Sequence, residues 1–111
     1  MRLTSEMVVS ALTRRIFADG GFAAVERRGA DAAGAIFIRH RHRDGTETLY
    51  APAPQSFLED TPDRQFEPRL KGVAPEEVDA LLAREMKWDA DIWVVEIETD
   101  EAGKYFAVVG E

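Results

Sequence analysis

The chain reads as a single α+β domain, an antiparallel sheet of about four to six strands carrying two helices. Three observations predict it. Residues 5–19 and 75–88 place their apolar side chains at helical spacing. Two runs, GAIFIRHRHRDGTETLYAP and IWVVEIE, carry the alternation and β-branched content of strands. The length of 111 residues, 45% hydrophobic and 32% charged, fits one globular domain spanning 1–111.

The elements follow in order. Thr4 or Ser5 can cap the first helix, Glu6 suits its first turn, and Gly20-Gly21 ends it. Val8, Val9, Leu12 and Ile16 share one face, while Met7 and Phe17 lie nearly opposite. That second apolar side predicts either a loop packed over it or a homodimer contact. Residues 22–28 suit a short strand. The spacing Gly29-x-x-x-x-Gly34 has the form of a phosphate loop, but no Lys-Ser/Thr follows and a strand comes next, which excludes that motif.

Asp44-Gly45 predicts a hairpin with a two-residue type I′ turn. This register pairs Arg43 with Thr46, His42 with Glu47, Arg41 with Thr48, His40 with Leu49 and Arg39 with Tyr50. It puts His40, His42, Glu47 and Leu49 on one face, and Arg39, Arg41, Arg43, Thr48 and Tyr50 on the other. In the segment 52–72, Pro52, Pro54, Pro62 and Pro68 prevent a long helix and disfavour a central strand. A short edge strand around Gln65–Leu70 is expected, with Phe57, Leu58, Phe66 and Leu70 as anchors. Pro75, Glu76 and Glu77 open the second helix, whose stripe is Val78, Leu81, Leu82, Met86 and Trp88. Ile92–Glu98 is apolar on both faces, as in a central strand. Thr99–Gly103 is a turn, and Lys104–Val109 a last strand.

Composition bounds function. There is no cysteine, so disulfides, thiolate metal sites and cysteine nucleophiles are excluded. No apolar run is long enough for a membrane span and no secretory signal is legible, so a cytoplasmic protein without a membrane partner is expected. The net charge of −7 opposes non-specific binding to nucleic acid. Yet Arg27, Arg28, Arg39, Arg41 and Arg43 concentrate positive charge locally.

Three constellations follow. Arg39, Arg41 and Arg43 alternate about 6.8 Å apart along a strand. With Arg27, and with Tyr50 under Arg39, they form a candidate patch for an acidic protein or a small anionic ligand, because the guanidinium fork binds oxyanions bidentately. The alternative is a solvated face. His40, His42 and Glu47 could hold a divalent metal or supply a base with its orienting acid; the simpler reading is a core-edge histidine and a His42–Glu47 pair. Glu85 falls within an apolar stripe and needs a partner, Arg15 or Arg69, in a structural ion pair; the alternative is a tuned general acid or base of a small enzyme. No nucleophile–base–oxyanion set is visible, so no catalytic residue and no cofactor are expected, and a binding module is favoured over an enzyme.

The stretches MRLTSEMVVSALTRRIFADGGFAAVERRG, AGAIFIRHRHRDGTETLYAPAPQS, FEPRL and DIWVVEIE resemble the small uncharacterised alphaproteobacterial proteins grouped as domain of unknown function 1491. The resemblance covers the chain up to about Glu98. It implies a small bacterial protein and brings no activity, cofactor or catalytic residue with it.

Overall fold

The computed structural model describes residues 3–54 and 64–110. Its elements are α1 (Ser5–Ala18), β1 (Phe22–Arg27), β2 (Ile36–Arg41), β3 (Glu47–Pro52), β4 (Gln65–Val73), α2 (Pro75–Trp88), β5 (Trp93–Glu98), a single 3₁₀ turn (Ala102–Lys104) and β6 (Ala107–Val108). The α+β class and both helices are as the sequence predicts. Phe57 and Leu58, expected as anchors, lie outside the described residues.

Thr4 is the cap of α1: its side chain accepts from the Met7 amide. Ser5 has another task. It is fully buried and its Oγ donates to the Gly34 carbonyl at 2.6 Å, tying the helix start to the loop before β2. Gly29 and Gly34 flank that loop because the Asp91 main chain occupies the place of a side chain at both. Their spacing is a packing requirement of the β5 entry.

The sheet has six strands in the order β1-β5-β2-β3-β4-β6. It is mixed, which corrects the purely antiparallel expectation: β2 runs parallel to β5, and β4 to β6. The cause is α2. A helical crossover from β4 returns the chain to the same end of the sheet, so β5 enters parallel to β2 and slots between β1 and β2. The central, doubly covered character read from IWVVEIE agrees with this place. The last strand is shorter than expected and pairs within the chain, at Gln65–Ala107 and Phe66–Val108.

The two helices cover opposite faces. Val9, Leu12 and Ile16 of α1 pack on Ile36, Ile38, Trp93, Val95 and Ile97. Val78, Leu81 and Leu82 of α2 pack on Phe37, Leu49, Ala51 and Val94. Each such side chain contributes about 1.5–3 kcal/mol when fully buried. Trp93 is buried, with its indole N–H donating to the Ala30 carbonyl. Trp88, expected in the stripe of the second helix, is instead 89% exposed at the end of α2.

The hairpin departs from the expected turn. His42 N–H donates to the Thr46 carbonyl and Gly45 N–H to the His42 carbonyl, so the loop is the three residues Arg43-Asp44-Gly45. Only Gly45 has positive φ, at 88°. This is a type I turn followed by a left-handed glycine. The pairs become Ile38–Tyr50, Arg39–Leu49, His40–Thr48 and Arg41–Glu47. A slip of one residue reverses the face of every side chain in β3. β4 runs longer than expected, to Val73. It tolerates Pro68 because the β3–β4 register is irregular beside it and β6 pairs only further back.

Candidate functional site

The corrected register decides the fate of the arginines. Glu47 stands on their face, fully buried, and each of its oxygens takes one guanidinium: Oε1 from Arg39 Nε at 2.6 Å and Oε2 from Arg41 Nε at 2.9 Å. Arg39 also reaches Glu26 at 3.4 Å, Asp79 at 2.7 Å and the Pro75 carbonyl at 3.2 Å. Arg41 reaches Glu96 at 3.1 Å. Burial opposes the Arg39 charge, but the bonds to Glu47 and Asp79 and the nearby carboxylates outweigh it and hold its pKa above the ordinary arginine value. The structure thus places Arg39, 5% exposed, inside an ion-pair network that joins β1, β2, β3 and α2. Arg43 alone of the stripe stands clear in the hairpin loop, 3.4 Å from the exposed Asp100. Tyr50 is not under Arg39. It lies on the α1 face, edge-on to Phe106 at 5.1 Å. Arg27 is apart from the stripe and donates to the Ala90 carbonyl.

The histidines share the opposite face from Glu47, so the His40–His42–Glu47 constellation is not assembled. Among the described residues no group of three metal-ligating side chains converges. His40 Nε2 lies 2.7 Å from the Thr99 carbonyl, and therefore carries the proton. Its Nδ1 is buried without a partner among the described residues. Burial, and then the neighbouring His42, push its pKa down despite the bond to Thr99. His42 pairs with the Thr48 hydroxyl, and the two rings meet edge-on at 4.5 Å. Glu85 is half-buried and takes Arg69 at 3.2 Å, while Arg15 goes elsewhere.

Where Arg15 goes marks a feature that sequence reasoning missed. A cleft of about 900 Å³ runs beside α1. Val8, Leu12, Ile38, Phe66 and Phe106 give it an apolar floor, and Tyr50 and Phe66 both pack edge-on to Phe106. Arg15 stands at its mouth, over the Tyr105 ring at 5.5 Å, donating to the carbonyls of Tyr105 and Lys104. Tyr105 is itself fixed, because its hydroxyl donates to Asp19 at 2.7 Å. Arg64 lines the cleft too and donates to Ser5 Oγ and the Leu3 carbonyl. The only sequence signal was Arg15 at the border of an apolar helix face; nothing local told that Phe106 would return to it from the far end of the chain. A second, polar cleft of about 480 Å³ lies by the hairpin tip, where Arg41, His42 and Arg43 face Asp19, Glu98 and Asp100 in near charge balance.

The family model described as "Protein of unknown function (DUF1491)" matches residues 3–107. The solution structure of protein Atu0922 from A. tumefaciens is 62% identical, covering 100% of this chain and 98% of that one, with a TM-score of 0.89. The crystal structure of a DUF1491 family protein from Caulobacter crescentus CB15 is 32% identical, covering 99% and 100%, with a TM-score of 0.78. An NMR structure of a DUF1491 family protein from that organism is 33% identical over 99% of both chains, again at 0.78. No curated protein matches the chain.

Proposed function

The chain belongs to the DUF1491 family, and we propose that it acts as a non-enzymatic binding module whose site is the cleft beside α1. The observation that carries this reading is the cleft itself, about 900 Å³ with an aromatic and aliphatic floor and few polar groups at its rim. The groups that could have served catalysis are committed elsewhere: His40 to Thr99, His42 to Thr48, Glu47 to two arginines, Glu85 to Arg69. The arginine face supports an acidic partner only through Arg43 and the half-exposed Arg41, since Arg39 is closed in.

Thermal unfolding with octanamide, octanoate and octylamine tests the cleft. A ligand at 100 times its Kd stabilises by about 2.7 kcal/mol, a shift of several degrees for a domain of this size. Ala11→Phe, which fills the cleft, is expected to abolish that shift. No shift with any of the three, or one that persists in the filled variant, overturns the reading.

A second reading, a homodimer, has its own observation. Leu3, Met7 and Phe17 are about half exposed, and Phe17 meets the exposed Phe22 of the edge strand edge-on at 5.9 Å. Light scattering at low micromolar concentration tests it; a monomer there ends it.

A further inference from the structure

We propose that the ligand of the α1 cleft is a carboxylate borne on an apolar chain or ring, with its anionic head held by Arg15. The inference rests on the cleft reading above and gives that site a substrate class.

The first support is charge. The chain has 21 acidic against 14 basic residues, yet the described residues lining the cleft include Arg15 and no Asp or Glu. Among the described residues, Arg15 therefore stands at an apolar recess with no lining carboxylate beside it, which favours an anionic head where a ligand enters.

The second support is the state of Arg15. Arg28, Arg39, Arg41, Arg43 and Arg69 each have a carboxylate within 4 Å. Arg15 instead meets two main-chain carbonyls and the Tyr105 ring. Those contacts aim the guanidinium without neutralising it. Asp19, one turn on, feels its charge but gives its oxygen to Tyr105 and Lys104. A guanidinium has five N–H donors, so two carbonyl bonds leave donors for an incoming oxyanion. Those two bonds already orient it, which lowers the entropic cost of capture.

The third support is shape. Arg64 holds Ser5 and Arg15 stands ten residues later, about 15 Å along the helix. Between them Val8 and Leu12 offer only hydrocarbon. A sugar or nucleotide would leave its hydroxyls unpaired on such a floor, whereas an alkyl or aryl body would not.

The test is an amide NMR titration of the full chain with octanoate and octanamide, which share an apolar body and differ in the head. Octanoate is expected to move the amides of Val8, Leu12, Phe66 and Phe106 and to bind at least about tenfold more tightly than octanamide. Arg15→Gln should lower octanoate to the affinity of octanamide and leave octanamide unchanged. Arg15→Lys keeps the charge without the fork and should fall between. If Arg15→Gln does not fold, Arg15→Lys and the two ligands on the unaltered chain decide. Equal affinity for the two ligands, or octanoate binding that Arg15→Gln does not weaken, overturns the carboxylate head while the cleft stands. Neither compound moving the cleft amides overturns both readings, as does octanoate moving only the hairpin amides about Arg41 and Arg43.

Discussion

Glu47 decides more in the arginine network than any other side chain, and its role follows from having two oxygens and two arginines. Removing one partner of a buried ion pair leaves the other charged and dry, at a cost of about 3–5 kcal/mol. Glu47→Gln is therefore expected to lower the urea-unfolding free energy by about that much. The double variant Arg39→Met with Glu47→Leu should recover a good part of the loss, since matched apolar replacements of a buried pair are often neutral. An additive double variant would mean that the two groups do not interact. His40 gives a second residue-scale expectation. Its folded pKa lies below the ordinary value, so the unfolded chain takes up a proton first as pH falls. The contribution of His40 to stability is thus present above about pH 6.5 and is lost progressively as pH drops from there through the folded pKa. An NMR titration of the His40 ring should show a midpoint below that of a free imidazole; a midpoint at or above it would contradict the burial of the ring.

At the scale of elements, the hairpin shows how the sequence was legible and where it failed. Asp44-Gly45 marked a turn correctly, and the helix bounds 75–88 agree with Pro75–Trp88. But a glycine at positive φ serves both a two-residue turn and a three-residue turn with a bulge. The two differ by one residue of register and by every face in β3. Electrostatics held the answer: only the three-residue loop puts Glu47 on the same face as Arg39 and Arg41, where each of its oxygens takes one guanidinium. The expected cost of Gly45→Ala is about 1–2 kcal/mol, from the left-handed backbone alone, and urea unfolding measures it. The cleft was not legible for a different reason. Its floor joins Leu12, Ile38, Phe66 and Phe106, which come from four separate stretches, and no local pattern announces such a meeting.

At the scale of the molecule, the sheet order ranks the strands by protection. β5 and β2 are flanked on both sides and buried under both helices, while β1 and β6 are edges. Native-state hydrogen exchange should be slowest at the amides of Phe37–His40 and Val94–Ile97 and fastest at Ala107 and Val108. Equal protection across the sheet would contradict a core centred on β5. The antiparallel expectation failed at this same scale. Strand identity is written locally, but neighbour order depends on the path of a crossover, and that path is set by what α2 covers.

The insertion of β5 also bears on how the chain is made. During synthesis β1 and β2 leave the ribosome long before residues 93–98, and each lacks the neighbour it will have on that side. The hairpin of β2 and β3 can form early, but β1 has no strand to join until β5 has been made. Closure of the sheet is therefore a late, long-range event of the slow kind. Until then the nascent protein presents two unpaired strand edges where the finished one has its centre, so its exposure to misassociation is greatest just before β5 emerges.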